Sequence, residues 1–269
     1  MPSPVHKGKN ALITGGASGI GKSLAAHLVS HGARVVCCDM NTAVGQRVVE
    51  AINAERPNSP PVAFFVKMNV TSWEEVVDGF KKAEELLQSK IDFVFANAGI
   101  ISGKQQCFPD EGGKPSTRLL DVNTTGVLYT MQAAINHFRA HKSRGSIIVT
   151  ASIAGIYPLR PDPLYSASKH AVVGLVRSAA MRTEKEGIYI NAIAPAATES
   201  GMTSQSKVKE MSALGLATSM ATILQAFEVF LVPECRLFGQ LAEPIGQEVN
   251  LIGYPLPVTR RPKETSPRL

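Results

Sequence analysis

Tyr165 and Lys169 lie four residues apart in the stretch Pro163-Leu-Tyr-Ser-Ala-Ser-Lys-His-Ala171. At helical spacing a residue and its fourth successor share one face a turn apart, so the phenol and the ammonium are neighbours. A free phenol, with a pKa of about 10, is a poor proton carrier near pH 7. A cation beside it favours the phenolate and lowers that value, making the side chain a usable general acid or base. Ser152 stands thirteen residues before Tyr165, at the end of the run Gly145-Ser-Ile-Ile-Val-Thr-Ala-Ser152. A hydroxyl there can donate a hydrogen bond to a substrate oxygen on which negative charge develops. A lone Tyr-x-x-x-Lys is also an ordinary feature of a solvated helix, so its meaning depends on what else the chain brings to it.

Residues 10–14 read as a short buried strand, followed by Gly15-Gly-Ala-Ser-Gly-Ile-Gly21 and a helical pattern through His31. Strand, glycine turn and helix together can cradle a pyrophosphate. Glycine lets the backbone approach, and a helix N-terminus offers free N–H groups and partial positive charge. The spacing Gly15, Gly19, Gly21 is not the G-x-G-x-x-G fingerprint, and an ordinary tight connection is equally compatible with it. The next strand, 32–39, ends in Asp39, about twenty residues beyond the glycines, where a carboxylate can accept from ribose hydroxyls. It would also repel a 2′-phosphate, and Ala17, Ser18 and Met40 offer no cation to receive one. NAD is therefore favoured over NADP. A turn-forming role at the strand end is the plain alternative for Asp39.

Further strands are expected at 62–70, 91–97, 145–152, 188–195 and 246–253, with helices at 41–56, from Thr71 towards Lys90, from about Leu119 towards His141, and from Tyr165 to about Glu186. Ser72 and Glu75 could form a capping box. This alternation predicts one α/β domain over 1–258, a doubly wound seven-stranded parallel sheet with helices on both faces, followed by a basic tail at 259–269. Ligands of such sheets bind at the carboxyl ends of strands. Asp39, Asn69-Val70 and Asn97-Ala98-Gly99 fall there, as do Ser152 and Pro195. Asn123 is odd inside a helix; a kink or cap and a polar relay are both open. Thr198 could reach a carboxamide or sit in a plain turn. The Met- and Leu-rich stretch 201–220 reads as an apolar lid or as core, and Asp162 or Arg160 could face substrate. The 165–186 helix has almost no polar face, which predicts burial on both sides. One side can meet the sheet and the other a second copy, together with the 123–141 helix, giving a homodimer or homotetramer.

With 269 residues, 44% of them hydrophobic, the chain can bury one large core. It shows neither an apolar run long enough to span a membrane nor the apolar core of a signal peptide, so a soluble cytoplasmic protein is expected. The net charge of +6 sits largely at the ends. Lys7 and Lys9 supply two positives, and the tail has four positives and one negative, leaving +1 for the body. A basic groove for nucleic acid is not what this distribution builds. Cys37, Cys38, Cys107 and Cys235 lack metal spacing and read as free thiols, the adjacent pair facing opposite ways in its strand. His27/His31 and His137/His141 are both i, i+4 pairs, but the sequence shows no third ligand, so surface helix positions are expected and no metal is assigned.

Taken jointly, Thr14-Gly-Gly-Ala-Ser-Gly-Ile-Gly21, Asp39, Asn97-Ala-Gly99, Asn123, Ser152, Tyr165-x-x-x-Lys169 and Ile193-Ala-Pro195 resemble the short-chain dehydrogenase/reductase family over roughly residues 7–253. Residues 163–180 look like the branch containing 15-hydroxyprostaglandin dehydrogenases. The resemblance implies hydride transfer between nicotinamide and a carbinol carbon of a small-molecule substrate. Tyr165 would exchange the proton and Ser152 orient the substrate oxygen. Lys169 would bind the nicotinamide ribose, and Asn123 would hold a relay water. Gly15, Ser18, Gly19, Ile20, Gly21, Asp39, Asn69, Val70, Asn97, Ala98, Gly99, Pro195 and Thr198 would line the NAD site. The chain departs from the pattern at Asn69, where an Asp is usual, at Ala96, and at Ala196, where a Gly is usual. A lipophilic or secondary-metabolite alcohol is the expected substrate. A non-redox isomerase, dehydratase or cyclase on the same site, and a non-catalytic nucleotide-binding protein, are the competing readings.

Overall fold

A computed structural model describes residues 5–102, 114, 116–158, 162–198, 208–209, 212–213, 217–233 and 235–253. Eight strands form one sheet in the order β3-β2-β1-β4-β5-β6-β7-β8. They are β1 (Asn10–Thr14), β2 (Arg34–Asp39), β3 (Ala63–Lys67), β4 (Phe93–Ala96), β5 (Gly145–Thr150), β6 (Ile188–Ile193), β7 (Leu241–Ile245) and β8 (Glu248–Ile252). All neighbours pair parallel except β7 and β8, an antiparallel hairpin at the edge. The order reverses between β1 and β4, which opens a crevice at the carboxyl ends of those strands.

Helices cover both faces, as expected of apolar strands without a wet side. On one face lie α1 (Gly19–Ser30), α2 (Thr42–Ala54) and α6 (Met220–Glu228); on the other lie α3 (Trp73–Leu87), α4 (Gly126–Ala140) and α5 (Pro163–Thr183). Strand alternation sends Cys37 into the first core and Cys38 into the second. Both are free and buried. Burial, then the nearby Asp39 carboxylate, pushes the Cys37 thiol up to about 12, which leaves it unreactive.

The sheet corrects the expected count of seven parallel strands. The segment 246–253 is the antiparallel edge strand β8, and β7 precedes it. Pro244 masks β7 in the sequence, since proline disfavours an interior strand. The β6 pairing reaches only Leu241 and Ala242, so Pro244 lies beyond that ladder. The capping box is half formed. Ser72 Oγ accepts from Glu75 N at 3.2 Å, but the Glu75 carboxylate accepts from Asn69 N at 2.9 Å.

The helix expected from Leu119 begins as a short turn, Arg118–Leu120, and a π-helical turn, Asp121–Thr125, before α4. The kink reading of Asn123 is the one the backbone adopts. Within one chain α5 is not buried on both sides, because Ala171, Gly174 and Ser178 face outward and Met181 is 65% exposed. His137 is buried rather than on the surface. Among the described residues no helix is long and apolar enough to cross a membrane. Arg160, Cys107, the tail and most of 201–220 lie outside the described residues.

Candidate active site

The glycine turn is shaped by close backbone approach. Gly15 has φ +67°, and a Cβ on it would stand 2.9 Å from Ala98 Cα. A Cβ on Gly21 would stand 2.2 Å from the Gly15 carbonyl oxygen. Only glycine lets the turn fold against α1 and the end of β4. Ser18 caps α1 by position, yet its side chain makes no capping hydrogen bond. The first-turn N–H groups of α1 therefore point at the crevice without a side-chain acceptor, the arrangement that receives a phosphate.

A cleft of about 340 Å³ runs from this turn along the carboxyl ends of the strands. Gly15, Ser18, Gly19 and Ile20 line it together with Asp39, Asn69 and Val70. Beyond them come Asn97, Ala98 and Gly99, then Ser152, Tyr165, Lys169, Pro195 and Thr198. Two residues assigned from sequence stand behind the wall instead. Gly21 is buried beneath Gly15, and Asn123 is fully buried.

Several polar side chains in the cleft are already engaged by the fold. Asp39 accepts from Ala17 N at 3.2 Å and from Asn41 N at 3.0 Å, tying β2 to the glycine turn with one oxygen and closing its own turn with the other. Asn97 Nδ2 donates to the Thr14 and Gly15 carbonyls at 3.0 and 3.3 Å, and its oxygen accepts from Thr150 Oγ1 at 3.0 Å. It is a clamp between β1, β4 and β5. The Asn69 oxygen, expected to accept from adenine, accepts instead from Thr71 N and Oγ1 at 3.0 and 2.8 Å. Asn123 spans the backbone of Ile100, accepting from its N–H at 2.8 Å and donating to its carbonyl at 2.9 Å. These two bonds tie the loop after β4 to the π-helical turn.

Asp162 caps α5 by accepting from Tyr165 N at 2.9 Å, with Pro163 in the first turn, where its missing N–H costs nothing. Its oxygens also accept from Ser102 N and Oγ at 3.2 and 2.7 Å. The carboxylate that could have faced substrate thus fixes the helix start that carries Tyr165. Ser152, two residues past β5, accepts from Ala154 N at 3.1 Å and donates to the Pro195 carbonyl at 3.4 Å. Lys169 Nζ donates to the Thr150 carbonyl at 2.8 Å and stands 5.7 Å from the Tyr165 ring centroid.

Burial pushes the Tyr165 phenol above its ordinary value; the Ser152 hydroxyl acts the other way, and the Asp162 charge adds to the rise. The lowering expected from Lys169 is not what shifts the phenol; burial sets the direction and Ser152 is the group that opposes it. Burial also brings Lys169 down to about 8. A desolvated phenol, a serine hydroxyl and a poised ammonium at one end of a cleft can exchange a proton with a bound oxygen. The cleft also holds residues not assigned from sequence: Met40, Ile100, Ile101, Val122, Thr150 and Arg118. Met40 and Thr150 sit at strand ends beside assigned residues, a signal the sequence does carry. Arg118 follows the long loop and carries none.

The short chain dehydrogenase family model matches residues 9–211. Short-chain dehydrogenase/reductase ATR7 of Stachybotrys chlorohalonatus is 34% identical over 81% of this chain and 66% of its own. Short-chain dehydrogenase reductase 4 of Arabidopsis thaliana is 36% identical over 74% of this chain and 64% of its own. The chain thus spans about two thirds of the length of these relatives. A 3-ketoacyl-(acyl-carrier-protein) reductase from Brucella melitensis, solved in complex with NADH, superimposes with a TM-score of 0.78 over 89% of this chain and 98% of its own. At 24% identity that likeness speaks for the fold alone. The matched region contains the glycine turn, Asp39, Asn123, Ser152, Tyr165 and Lys169, and the chain belongs to the short-chain dehydrogenase/reductase family.

Proposed function

We propose that the chain is an NAD(H)-dependent oxidoreductase interconverting a secondary alcohol and a ketone, with Tyr165 as general acid and base and a lipophilic small molecule as substrate. The observation that carries this reading is the convergence of Ser152, Tyr165 and Lys169 on the cleft that begins at the unpartnered N-terminus of α1.

A nicotinamide dinucleotide, when bound, supplies the hydride acceptor or donor. The first turn of α1 would hold its phosphates and Asp39 its adenosine ribose, with Met40 rather than a cation beside it. That pairing supports NAD over NADP. Lys169, beside Tyr165, would meet the second ribose.

Ser152 donates a hydrogen bond to the substrate oxygen as it gains charge, and Tyr165 gives or takes that oxygen's proton. A phenol raised by burial is protonated at neutral pH, so the site as built is ready to donate a proton. Ile100, Ile101 and Val122 offer apolar wall near Asn123, which supports a lipophilic substrate, as does the likeness of 163–180 to the 15-hydroxyprostaglandin dehydrogenase branch. The outward Ala171, Gly174, Ser178 and Met181 of α5, with Leu128 of α4, support a homo-oligomer contact.

The test is to mix the protein with NAD and a panel of hydrophobic secondary alcohols and follow reduced nicotinamide by absorbance. Turnover with NAD exceeding that with NADP, and abolished by Tyr165→Phe, is the expected result. Product formation with no net change in nicotinamide would point instead to a non-redox reaction in the same site.

A further inference from the structure

At the amino ends of the strands, opposite the cleft, the seam between α3 and α4 brings three side chains together. His137 and His141 stand one turn apart, and the sequence around them offers no third ligand. The fold supplies Glu84 from α3. Glu84 Oε1 stands 2.5 Å from His141 Nε2 and 3.6 Å from His137 Nδ1. The ligand atoms of the three residues all lie within 4.8 Å of one another, and no other such cluster occurs among the described residues.

We propose that Glu84, His137 and His141 form a binding site for a divalent transition-metal ion of the zinc class, with three protein ligands and one position left to solvent. Zinc takes imidazole nitrogen and carboxylate oxygen at about 2.0–2.2 Å, which in a tetrahedron sets ligand atoms about 3.3 Å apart. The observed separations of 2.5 and 3.6 Å fall on either side of that value. Small side-chain rotations convert one arrangement into the other. Two imidazoles and one carboxylate suit zinc, nickel or copper far better than magnesium or calcium, which prefer oxygen.

The surroundings are those of a supported site. His137 Nε2 lies 3.1 Å from Ile91 N and 3.2 Å from Ile91 O. With its Nε2 proton donated to the Ile91 carbonyl, the imidazole turns the Nδ1 lone pair towards Glu84, as an outer partner does for a metal-bound histidine. Without metal, the other tautomer accepts from Ile91 N and points an Nδ1 proton at Glu84. Glu84 and His141 remain partly exposed, their side chains 31% and 39% accessible, giving an ion its entry path. Bound there, the ion would fasten α3 and α4 to the start of β4, far from Tyr165.

The experiment uses the tag-free full-length chain, stripped with chelator and titrated with zinc chloride by calorimetry, alongside cobalt(II) absorption and thermal unfolding. One equivalent bound, a tetrahedral cobalt spectrum and a raised melting midpoint are expected. Both His141→Ala and Glu84→Gln should weaken zinc by at least about tenfold, the loss typical even of outer-sphere partners. His27→Ala, which alters the separate histidine cluster at Glu228, should leave binding unchanged. An unchanged far-ultraviolet dichroism spectrum and cooperative unfolding of each metal-free variant show that it folds. No zinc bound by the parent chain, or affinity unaltered in both His141→Ala and Glu84→Gln, overturns the site; loss with His27→Ala alone places the ion elsewhere and overturns it too. None of these outcomes depends on whether the chain oxidises alcohols.

Discussion

The Lys169 ammonium donates to the Thr150 carbonyl oxygen at 2.8 Å, holding a fully buried cation against the end of β5. Its pKa of about 8 in the folded chain lies below the ordinary 10.5. The folded state therefore binds fewer protons between those values, and stability rises with pH across that window. Below about pH 8 the full cost of the buried charge is present, on the order of 3 kcal/mol from the size of the shift. Lys169→Met removes that cost and gives up one hydrogen bond worth about 1 kcal/mol. The variant should melt a few degrees above the parent at pH 7, with the advantage shrinking as pH rises towards 10.5, while turnover falls at least about a hundredfold. A variant less stable than the parent at pH 7 contradicts this account of the lysine.

Tyr165 and Ser152 set the pH dependence of the proposed chemistry. Burial raises the phenol pKa and Ser152 lowers it, so alcohol oxidation, which needs a proton acceptor, should climb with pH. Ketone reduction should be strongest where the phenol holds its proton. In Ser152→Ala the climb should move to higher pH, and kcat should drop by roughly a hundredfold to a thousandfold, as when an oxyanion donor is lost. A steady-state profile of both directions checks this. An oxidation limb at the same pH in parent and variant would remove Ser152 from contact with the phenol.

Glu228 joins the N-terminal segment and α1 to α6. Its oxygens meet His6 Nε2 at 3.0 Å and His27 Nε2 at 2.9 Å. Burial would raise its pKa, but the hydrogen bonds from His27 and His6 outweigh that and bring it to about 2. A depressed carboxylate stabilises the fold above its unfolded value of 4.5 and loses that contribution as pH falls towards 2. Glu228→Gln should cost about 2 kcal/mol at pH 7, the scale of hydrogen bonds to a charged group. Denaturant titrations should show the deficit narrowing below about pH 4.5; a deficit constant with pH would mean that packing, not charge, is what the substitution disturbs.

Much of the site is legible because its residues sit where local signals end. Gly15–Gly21 follows a strand and opens a helix, Asp39 closes β2, and Tyr165 and Lys169 share a helix face. The destinations of the amides are not legible. Asn97 and Asn69 stand at the expected strand ends, but neighbouring carbonyls and hydroxyls fix where their hydrogen bonds go, and only three-dimensional packing supplies those. Leu241–Ile245 is hidden by Pro244, whose cost depends on which ladder it would have joined. Glu84 shows no pattern with His137 and His141 until α3 lies against α4. Arg118 is invisible for the same reason, since it reaches the cleft from a short turn that no periodicity announces.

Asp39 tests the cofactor preference. Its carboxylate holds Ala17 N and Asn41 N at 3.2 and 3.0 Å and lines the cleft at the end of β2. A charge there stabilises ribose hydroxyls that donate to it and repels a phosphate ester in the same place. Asp39→Asn keeps an acceptor for one of the two backbone N–H groups and removes the charge, so the turn should survive at a cost of about 1 kcal/mol. The KM for NAD should rise roughly tenfold, about 1.4 kcal/mol of lost binding, with kcat little changed because the reacting end is untouched. The KM for NADP should fall, since the repulsion is gone. Competition binding with both dinucleotides separates the two effects. If the variant kept the parent's ratio of affinities, Asp39 would be a turn residue alone, and the assignment of NAD over NADP would lose its physical basis.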